Sequence, residues 1–401
     1  MKKILLFILS WVIIFNLFTQ WIIASEQQTE ELDLEMMTMS FDNIMNSAVD
    51  IVIYGESSEE RDHLFNHISD ILYSYNEVSD YLNPLDVDSV FLENIYTINQ
   101  KPETDIEIDE LLYRMLEEAL YMTEMTNGYF DVSIGRVIEA WKEVINQYQY
   151  QQIPNDVFDS LLDFVDGIDV ISDPFMIWEE NDSYYIRIKE GVKLDVGAIA
   201  KGYAIQRVYE YIFDQGYTYF FVFAHASSIG LGKQYTREDE MFRIGLENPL
   251  SSRLVEPFYG RIWVSNTGVT TSGNYIQYAE HNGLRYHHII SPFTKKPTDY
   301  YHTVTIIGND LARLDAVSTA LFLMDPNTFD TWMETNQTEL DIEVIRFNTD
   351  PSISIFLNDT QYEQFMSFEE EENQIPMIIF VLGGALIVLS IALVLKFTVF
   401  K

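Results

Sequence analysis

Cysteine is absent from the 401 residues, which excludes disulfides, thiolate metal sites, a cysteine nucleophile and a lipidated cysteine near the N-terminus. Positive charge is scarce as well. With 24 Lys and Arg against 63 Asp and Glu, the net charge is −39, which argues against a nucleic-acid partner. No Walker or dinucleotide glycine pattern occurs, and the body holds no internal repeat or low-complexity tract. The acid is unevenly spread. Between Asn181 and Tyr300 lie 13 of the bases and only 12 acidic residues. This nearly neutral stretch is either an ordinary surface or the lining of a cleft that receives an anion against a repelling overall field.

Long apolar runs stand at both ends. MKKILLFILSWVIIFNLFTQWIIAS, with two lysines before the run, reads as a signal peptide or signal anchor over residues 1–24, although Ile22 occupies a position where cleavage favours a small residue. Met377 to Leu395 is uncharged and, at about 1.5 Å per residue, nearly spans a hydrocarbon layer about 30 Å thick. A transmembrane helix is therefore expected over 376–399, after an acidic juxtamembrane segment at 349–375. Lys2, Lys3, Lys396 and Lys401 place both ends in the cytoplasm by the positive-inside tendency. The body is then extracytoplasmic and tethered to the cell membrane.

Hydrophobic residues make up 47% of the chain, enough for one large core or two modest ones. Residues 25–42 are acidic, lack turn chemistry and read as a linker. AVDIVIYG is a first strand, helices are expected from Ser58 and through DELLYRMLEEALYMTEM, and Asn127-Gly128 marks a C-cap. DSYYIRIKEGVKLDVG reads as a hairpin turning at Glu190-Gly191. Further strands are YTYFFVFA, RIWVSN, RYHHII and HTVTIIGN, and LDAVSTALFLM is a helix limited by Pro326. Strands and helices mix without a βαβ rhythm, which indicates an α+β fold.

Three constellations carry chemistry. In KLDVGAIAKGYAIQRV, small residues lead into a helix start, where free N–H groups and the helix dipole attract anions, and Lys201 adds a full charge. The same small residues also suit close helix-on-sheet packing. In LDAVSTALF, Asp315 and Thr319 lie one helical turn apart on one face. They suit a hard cation such as Mg²⁺, or else an N-cap aspartate with a threonine bonded to its own backbone. In TTSGNYIQY and RYHHIISPFTKKP, hydroxyls at Thr271 and Ser272 precede Gly273, and four of the seven histidines fall between His281 and His302. Strand neighbours His287 and His288 point to opposite faces and do not share a metal, but one of them facing a cleft is a candidate base.

Taken in order, GYFDVSIGRVIEAW, KLDVGAIAKGYAIQRV, FRIGLENP, TTSGNYIQY, HHIISPFTKKP and LDAVSTALF resemble the ApbE family of FAD:protein FMN transferases, over roughly Asn43 to Asn348. The resemblance implies an α+β, T-fold-like body with two intertwined α/β subdomains over 43–348. It implies transfer of FMN from FAD to a threonine or serine hydroxyl of a target flavoprotein, with release of AMP. Alternatives on this scaffold are an FAD pyrophosphatase using water and a non-catalytic flavin-binding module. The implied Mg²⁺ ligands are Asp315, Thr319 and the main chain at Ala198, and the implied catalytic residues are His288 and Asp315. Met45, Asp195, Lys201, Ser272 and Gly273 would line the FAD site. Two departures stand out: AHASSIG where the family has a Gly-Gly-Asp loop, which narrows the space beside the flavin, and Ser291 where it has an aspartate.

Overall fold

The architecture follows from an alternation of apolar side chains along consecutive strands. In Ser47–Gly55, Val49, Ile51 and Ile53 are fully buried on one face, and in Tyr219–Ala224 the same holds for Phe220, Val222 and Ala224. Each buried aliphatic contributes about 2 kcal/mol. The computed structural model describes residues 34–56, 61–225, 227–251 and 256–366. Within it, an eight-stranded sheet runs in simple chain order: Glu35–Ile44, Ser47–Gly55, Tyr219–Ala224, Ser228–Leu231, Thr267–Gly273, Tyr301–Gly308, Ile342–Asn348 and Ile353–Phe356. All of its pairings are antiparallel.

Two helices pack together on this sheet and position the site: Ala200–Asp214, here the corner helix, and Leu311–Leu323, here the aspartate helix. The opposite face meets a three-stranded sheet of Phe242–Glu247, Phe258–Val264 and Gln361–Gln364, where Tyr259 packs edge-on against Phe347 with ring centroids 4.9 Å apart. A further three-stranded sheet, Ile106–Ile108 with Ser183–Ile188 and Phe175–Glu180, stands beside the helix Glu110–Met125. A second, smaller core gathers Trp141, Phe158 and Ile290 around the helices Gly135–Gln147 and Asn155–Asp166. The α+β class expected from the sequence is thus observed.

Several local expectations need correction. Residues 35–42 are not linker. EMMTMSFDNI pairs with the next strand from Glu35 to Phe41 and again at Ile44 after a register shift. Met37, Met39 and Phe41 carry a period-2 signal masked by the acidic neighbourhood, and Ile44 is buried beyond the shift. Likewise residues 353–356 and 361–364, inside the segment read as juxtamembrane, are strands that join two sheets. The hairpin containing Ser183–Ile188 turns at Asn181-Asp182, both at positive φ, and not at Glu190-Gly191. KLDVG belongs to no sheet, with Lys193 making only an isolated bridge to Ile134 and Gly197 entering a turn. It is pinned by Leu194 N–H to Asn99 Oδ1 and by Asp195 N–H to the Val132 carbonyl.

Among the described residues no helix is long and apolar enough to cross a membrane. The expected segments at 1–24 and 376–399 lie outside the described residues.

Candidate active site

Glycine at position 202 decides how the two helices meet. A Cβ there would stand 2.3 Å from the Leu311 carbonyl oxygen and 2.8 Å from Asp315 Cγ, so only a bare backbone fits. The absence of a side chain exposes the Gly202 N–H, which donates to Asp315 Oδ2 at 2.7 Å. Gln206, one turn on, accepts from Leu311 N–H at 2.9 Å through Oε1. The corner helix and the aspartate helix are therefore tied together twice, once through Asp315, which the sequence singled out.

Asp315 is not an N-cap. Asp310 fills that role and accepts from the N–H groups of Ala312 and Arg313. Asp315 is buried one turn further in, and its Oδ1 accepts from Ser228 at 2.6 Å. Burial pushes its carboxyl above the ordinary aspartate range, while Lys201, the Ser228 hydroxyl and the Gly202 N–H pull it back. Thr319 is half-buried and does not bond its own backbone. Ser318 does so instead, donating to the Asp315 carbonyl. Among the described residues the Thr319 hydroxyl has no hydrogen-bond partner.

The corner leaves a second oxygen free. With Ile199 as the N-cap, the Gly202 N–H is one of the first-turn donors that have no acceptor within the helix, and it finds one in Asp315 Oδ2. The Ala198 carbonyl, just ahead of the N-cap, receives no hydrogen bond among the described residues. A carboxylate, a hydroxyl and a main-chain carbonyl are thus available from two helices in contact. Among the described residues no group of three or more His, Asp or Glu gathers to hold a metal, so an ion here would rest on a single carboxylate.

Positive charge gathers beside these oxygens. Lys201 is half-buried and makes no hydrogen bond or ion pair among the described residues. Burial pushes its ammonium down, against the pull of Asp315 and with added repulsion from Lys142. Lys142 was not singled out in the sequence. It bonds Asp195 Oδ2 at 2.7 Å and lies over the Tyr81 ring, 4.8 Å from its centroid. Burial presses its ammonium down, but Asp195 and Tyr81 outweigh that and raise it. Asp195 also accepts from Gly197 N–H at 2.8 Å, closing the turn before the corner helix.

His287 closes the strand Leu284–His287 and His288 lies in the bend after it, so they are not the strand neighbours expected, but their environments differ. His287 donates through Nε2 to the Thr298 carbonyl at 2.8 Å and accepts from Ile289 N–H, a satisfied core histidine. Among the described residues His288 Nδ1 is buried without a partner. Burial together with His287, Lys142 and Lys201 pushes the ring down to about 3, against a hydrogen bond to the Gln277 main chain that raises it. It is therefore neutral near pH 7, with a lone pair unused. Of the remaining pair, His281 bonds the Ile153 carbonyl and stacks on Phe158, and His302 packs edge-on to Phe347.

Burial holds His287 down to about 4, below the ordinary 6.5. An unfolded chain takes up this proton below pH 6.5 while the native chain does not until near 4, so stability falls as pH falls through that window. The expected loss from this residue between pH 7.5 and pH 5 is about 2 kcal/mol. Urea denaturation at both values should show a smaller acid-induced loss in His287→Asn than in the parent. An unchanged loss would remove the residue from this role.

The remaining sequence candidates are placed as follows. Ser272 is buried and its hydroxyl meets that of Ser318 at 2.9 Å, joining the strand Thr267–Gly273 to the aspartate helix. Gly273 ends this strand, where a Cβ would meet the Tyr275 ring at 2.7 Å. Met45 sits at positive φ in the turn between the first two strands, with its N–H bonded to Asn76. Its connection to the site runs through Ser47, whose hydroxyl bonds the His225 carbonyl in the AHASSIG hairpin. Asn46 also lies at positive φ, which asparagine tolerates. Ser291 keeps a loop-capping function, its Oγ accepting from the N–H groups of Phe293 and Thr294 at 3.3 Å each. Ser228 was missed as an Asp315 partner, although it lies within the hairpin that departs from the family pattern.

A model of the ApbE family matches residues 45–344. Among curated relatives, the FAD:protein FMN transferase of Haemophilus influenzae is 27% identical over 229 residues, covering 56% of this chain and 64% of the relative. That of Klebsiella pneumoniae is 25% identical over 218 residues, covering 54% and 63%. The chain spans just under two thirds of the length of these relatives. Among solved structures, the ApbE protein of Thermotoga maritima superposes with a TM-score of 0.63 at 25% identity, covering 80% of this chain and 97% of that one. Flavin transferase ApbE of Vibrio cholerae gives 0.61 at 20% identity, over 81% and 98%, a likeness of fold.

Proposed function

This chain belongs to the ApbE family, and from that premise we propose that it transfers the FMN half of FAD to a Thr or Ser hydroxyl of a target flavoprotein and releases AMP. The observation that carries the reading is the Gly202 N–H to Asp315 bond. It brings the anion-attracting corner against the Asp315–Thr319 turn, and the Ala198 carbonyl, which receives no hydrogen bond among the described residues, lies just ahead of that corner.

In the reaction the acceptor oxygen attacks the phosphorus of the FMN half. A new P–O bond forms, the bond to the AMP phosphate oxygen breaks, and AMP leaves. The hydroxyl proton passes to His288 and then to solvent. Its ring is neutral and unpaired on Nδ1, and negative phosphate charge beside it raises its proton affinity against the two lysines. Lys201, which makes no hydrogen bond or ion pair among the described residues, meets the phosphate charge that grows as the bond breaks. Asp195 holds Lys142 and the Gly197 turn in place. Met45, Ser272 and Gly273 line the flavin side.

The donor set fits Mg²⁺, which takes one or two carboxylates together with neutral oxygens and substrate phosphates. Asp315, Thr319 and the Ala198 carbonyl would hold it, and when bound it neutralises phosphate charge. Both carboxylate oxygens of Asp315 accept one hydrogen bond and keep a further lone pair. The body is extracytoplasmic and membrane-tethered in this reading, supported by the apolar runs at both ends and the lysines that flank them.

Incubation with FAD, Mg²⁺ and a target flavoprotein should add the mass of FMN, less water, to the target and release AMP. AMP and free FMN without an adduct would instead select the pyrophosphatase. FAD binding without turnover, unaffected by chelator, would contradict both.

A further inference from the structure

Where the family carries Gly-Gly-Asp, the hairpin Ala224–Ser228 delivers a serine hydroxyl into the interior. Ser228 is fully buried, and its position is fixed from both sides. It pairs with Ala224 across the hairpin and with Thr270 on the next strand. The hairpin is further held by His225 N–H to the Ala48 carbonyl and by Thr271 N–H to the Ser227 carbonyl.

A serine hydroxyl has a single proton. Three oxygens approach Ser228 Oγ: Asp315 Oδ1 at 2.6 Å, Ser227 Oγ at 3.3 Å and Thr270 Oγ1 at 3.4 Å. The proton goes to the short contact with the carboxylate, and the Thr270 hydroxyl donates in turn to Ser228. Asp315 is also fixed at its main chain, where Ser318 bonds its carbonyl and Ser272 bonds Ser318. With Gly202 N–H on Oδ2 and Ser228 on Oδ1, the carboxylate plane cannot rotate without breaking one of two short bonds.

We infer that Ser228 is a positioning residue. Its hydroxyl fixes the rotation of the Asp315 carboxylate so that the remaining lone pairs meet a divalent cation beside Thr319 and the Ala198 carbonyl. This rests on the reading of Asp315 as a cation ligand. The AHASSIG departure thereby acquires a use: a hairpin without the paired glycines supplies the hydrogen bond that orients the ligand. Groups that orient a metal ligand in this way change cation affinity by about 10- to 100-fold when removed.

The test uses the full chain with Mn²⁺ and ADP, which carries a diphosphate but no flavin to transfer. Bound Mn²⁺ is followed by electron paramagnetic resonance, and thermal unfolding is recorded in parallel. Ser228→Ala is expected to bind Mn²⁺ at least about tenfold more weakly than the parent, and Asp315→Ala to lose the site. Unchanged affinity in Ser228→Ala, with the site lost in Asp315→Ala, overturns the role of Ser228 and leaves the site reading standing. Parent-like binding in Asp315→Ala overturns both. A lower unfolding temperature in Ser228→Ala with unchanged affinity makes the hydroxyl purely structural and overturns the inference. If Ser228→Ala does not fold, Thr270→Val decides: it removes the hydroxyl donating to Ser228, and its expected result is weaker Mn²⁺ binding. Parent affinity in that variant is the contrary result.

Discussion

Asp315→Ala is expected to lower the rate of FMN transfer by about a thousandfold or more while leaving the fold intact. The rate effect follows from losing the only carboxylate of the donor set, at a site where cleavage depends on charge stabilisation rather than covalent help. The effect on stability is smaller because two terms oppose. Removal leaves the Gly202 N–H and the Ser228 hydroxyl without their acceptor, a cost of about 1–3 kcal/mol each. It also relieves the burial of a charge, which is what raises this carboxyl above its ordinary range. Single-turnover transfer measured by the mass of the acceptor, with circular dichroism as the control, separates the two. A folded variant retaining a tenth of the parent rate would contradict the assignment.

Gly202→Ala is expected to destabilise the chain by about 3 kcal/mol and to abolish transfer, although alanine is the better helix former. The reason is steric. The new methyl carbon would lie 2.3 Å from a main-chain carbonyl and within 3 Å of two Asp315 carbons. The clash involves backbone and the base of a side chain, so the helices must separate, and separation breaks the bond that aligns Asp315 with the corner. Gly283→Ala is the control. Gly283 has φ +81 and nothing within 4 Å of an added Cβ, so only the left-handed backbone resists, at about 1 kcal/mol. Equal unfolding midpoints for the two variants would show that helix contact at Gly202 is not tight.

Which parts of this were legible in the sequence depends on how far each interaction reaches along the chain. The Asp315–Thr319 face and the bare corner at Gly197 to Gly202 are local patterns, readable from helical spacing and residue size. Their meeting is not local, since the residues that touch are 113 positions apart. No pattern within either motif specifies it. The family resemblance supplied that link, and the geometry at Gly202 gives its physical cause. Ser228 and Lys142 were missed for the same reason. Ser228 reaches Asp315 across 87 positions and Lys142 reaches Asp195 across 53, and neither residue type is unusual in its own segment.

The errors of local structure have other causes. Met37, Met39 and Phe41 alternate as a strand should, but acidic surroundings and a register shift before Ile44 hide the pattern. The turn at Asn181-Asp182 carries strong left-handed residues, yet Glu190-Gly191 offered a glycine and drew the hairpin to the wrong end. The N-cap at Asp310 was passed over in favour of Asp315, five residues on, because both are aspartates near a helix start. The two histidines are not strand neighbours, since the strand Leu284–His287 ends at the first and the second lies in the bend that follows; their partners show which one is spent on the core.

The most direct measurement is the anomalous scattering of Mn²⁺ in crystals of the protein grown with ADP. The expected result is a single strong peak within about 2.6 Å of an Asp315 carboxylate oxygen, Thr319 Oγ1 and the Ala198 carbonyl, with the diphosphate between it and Lys201. A diphosphate bound elsewhere, or a peak that leaves Asp315 and Ala198 untouched, would contradict the convergence on which the proposed reaction depends.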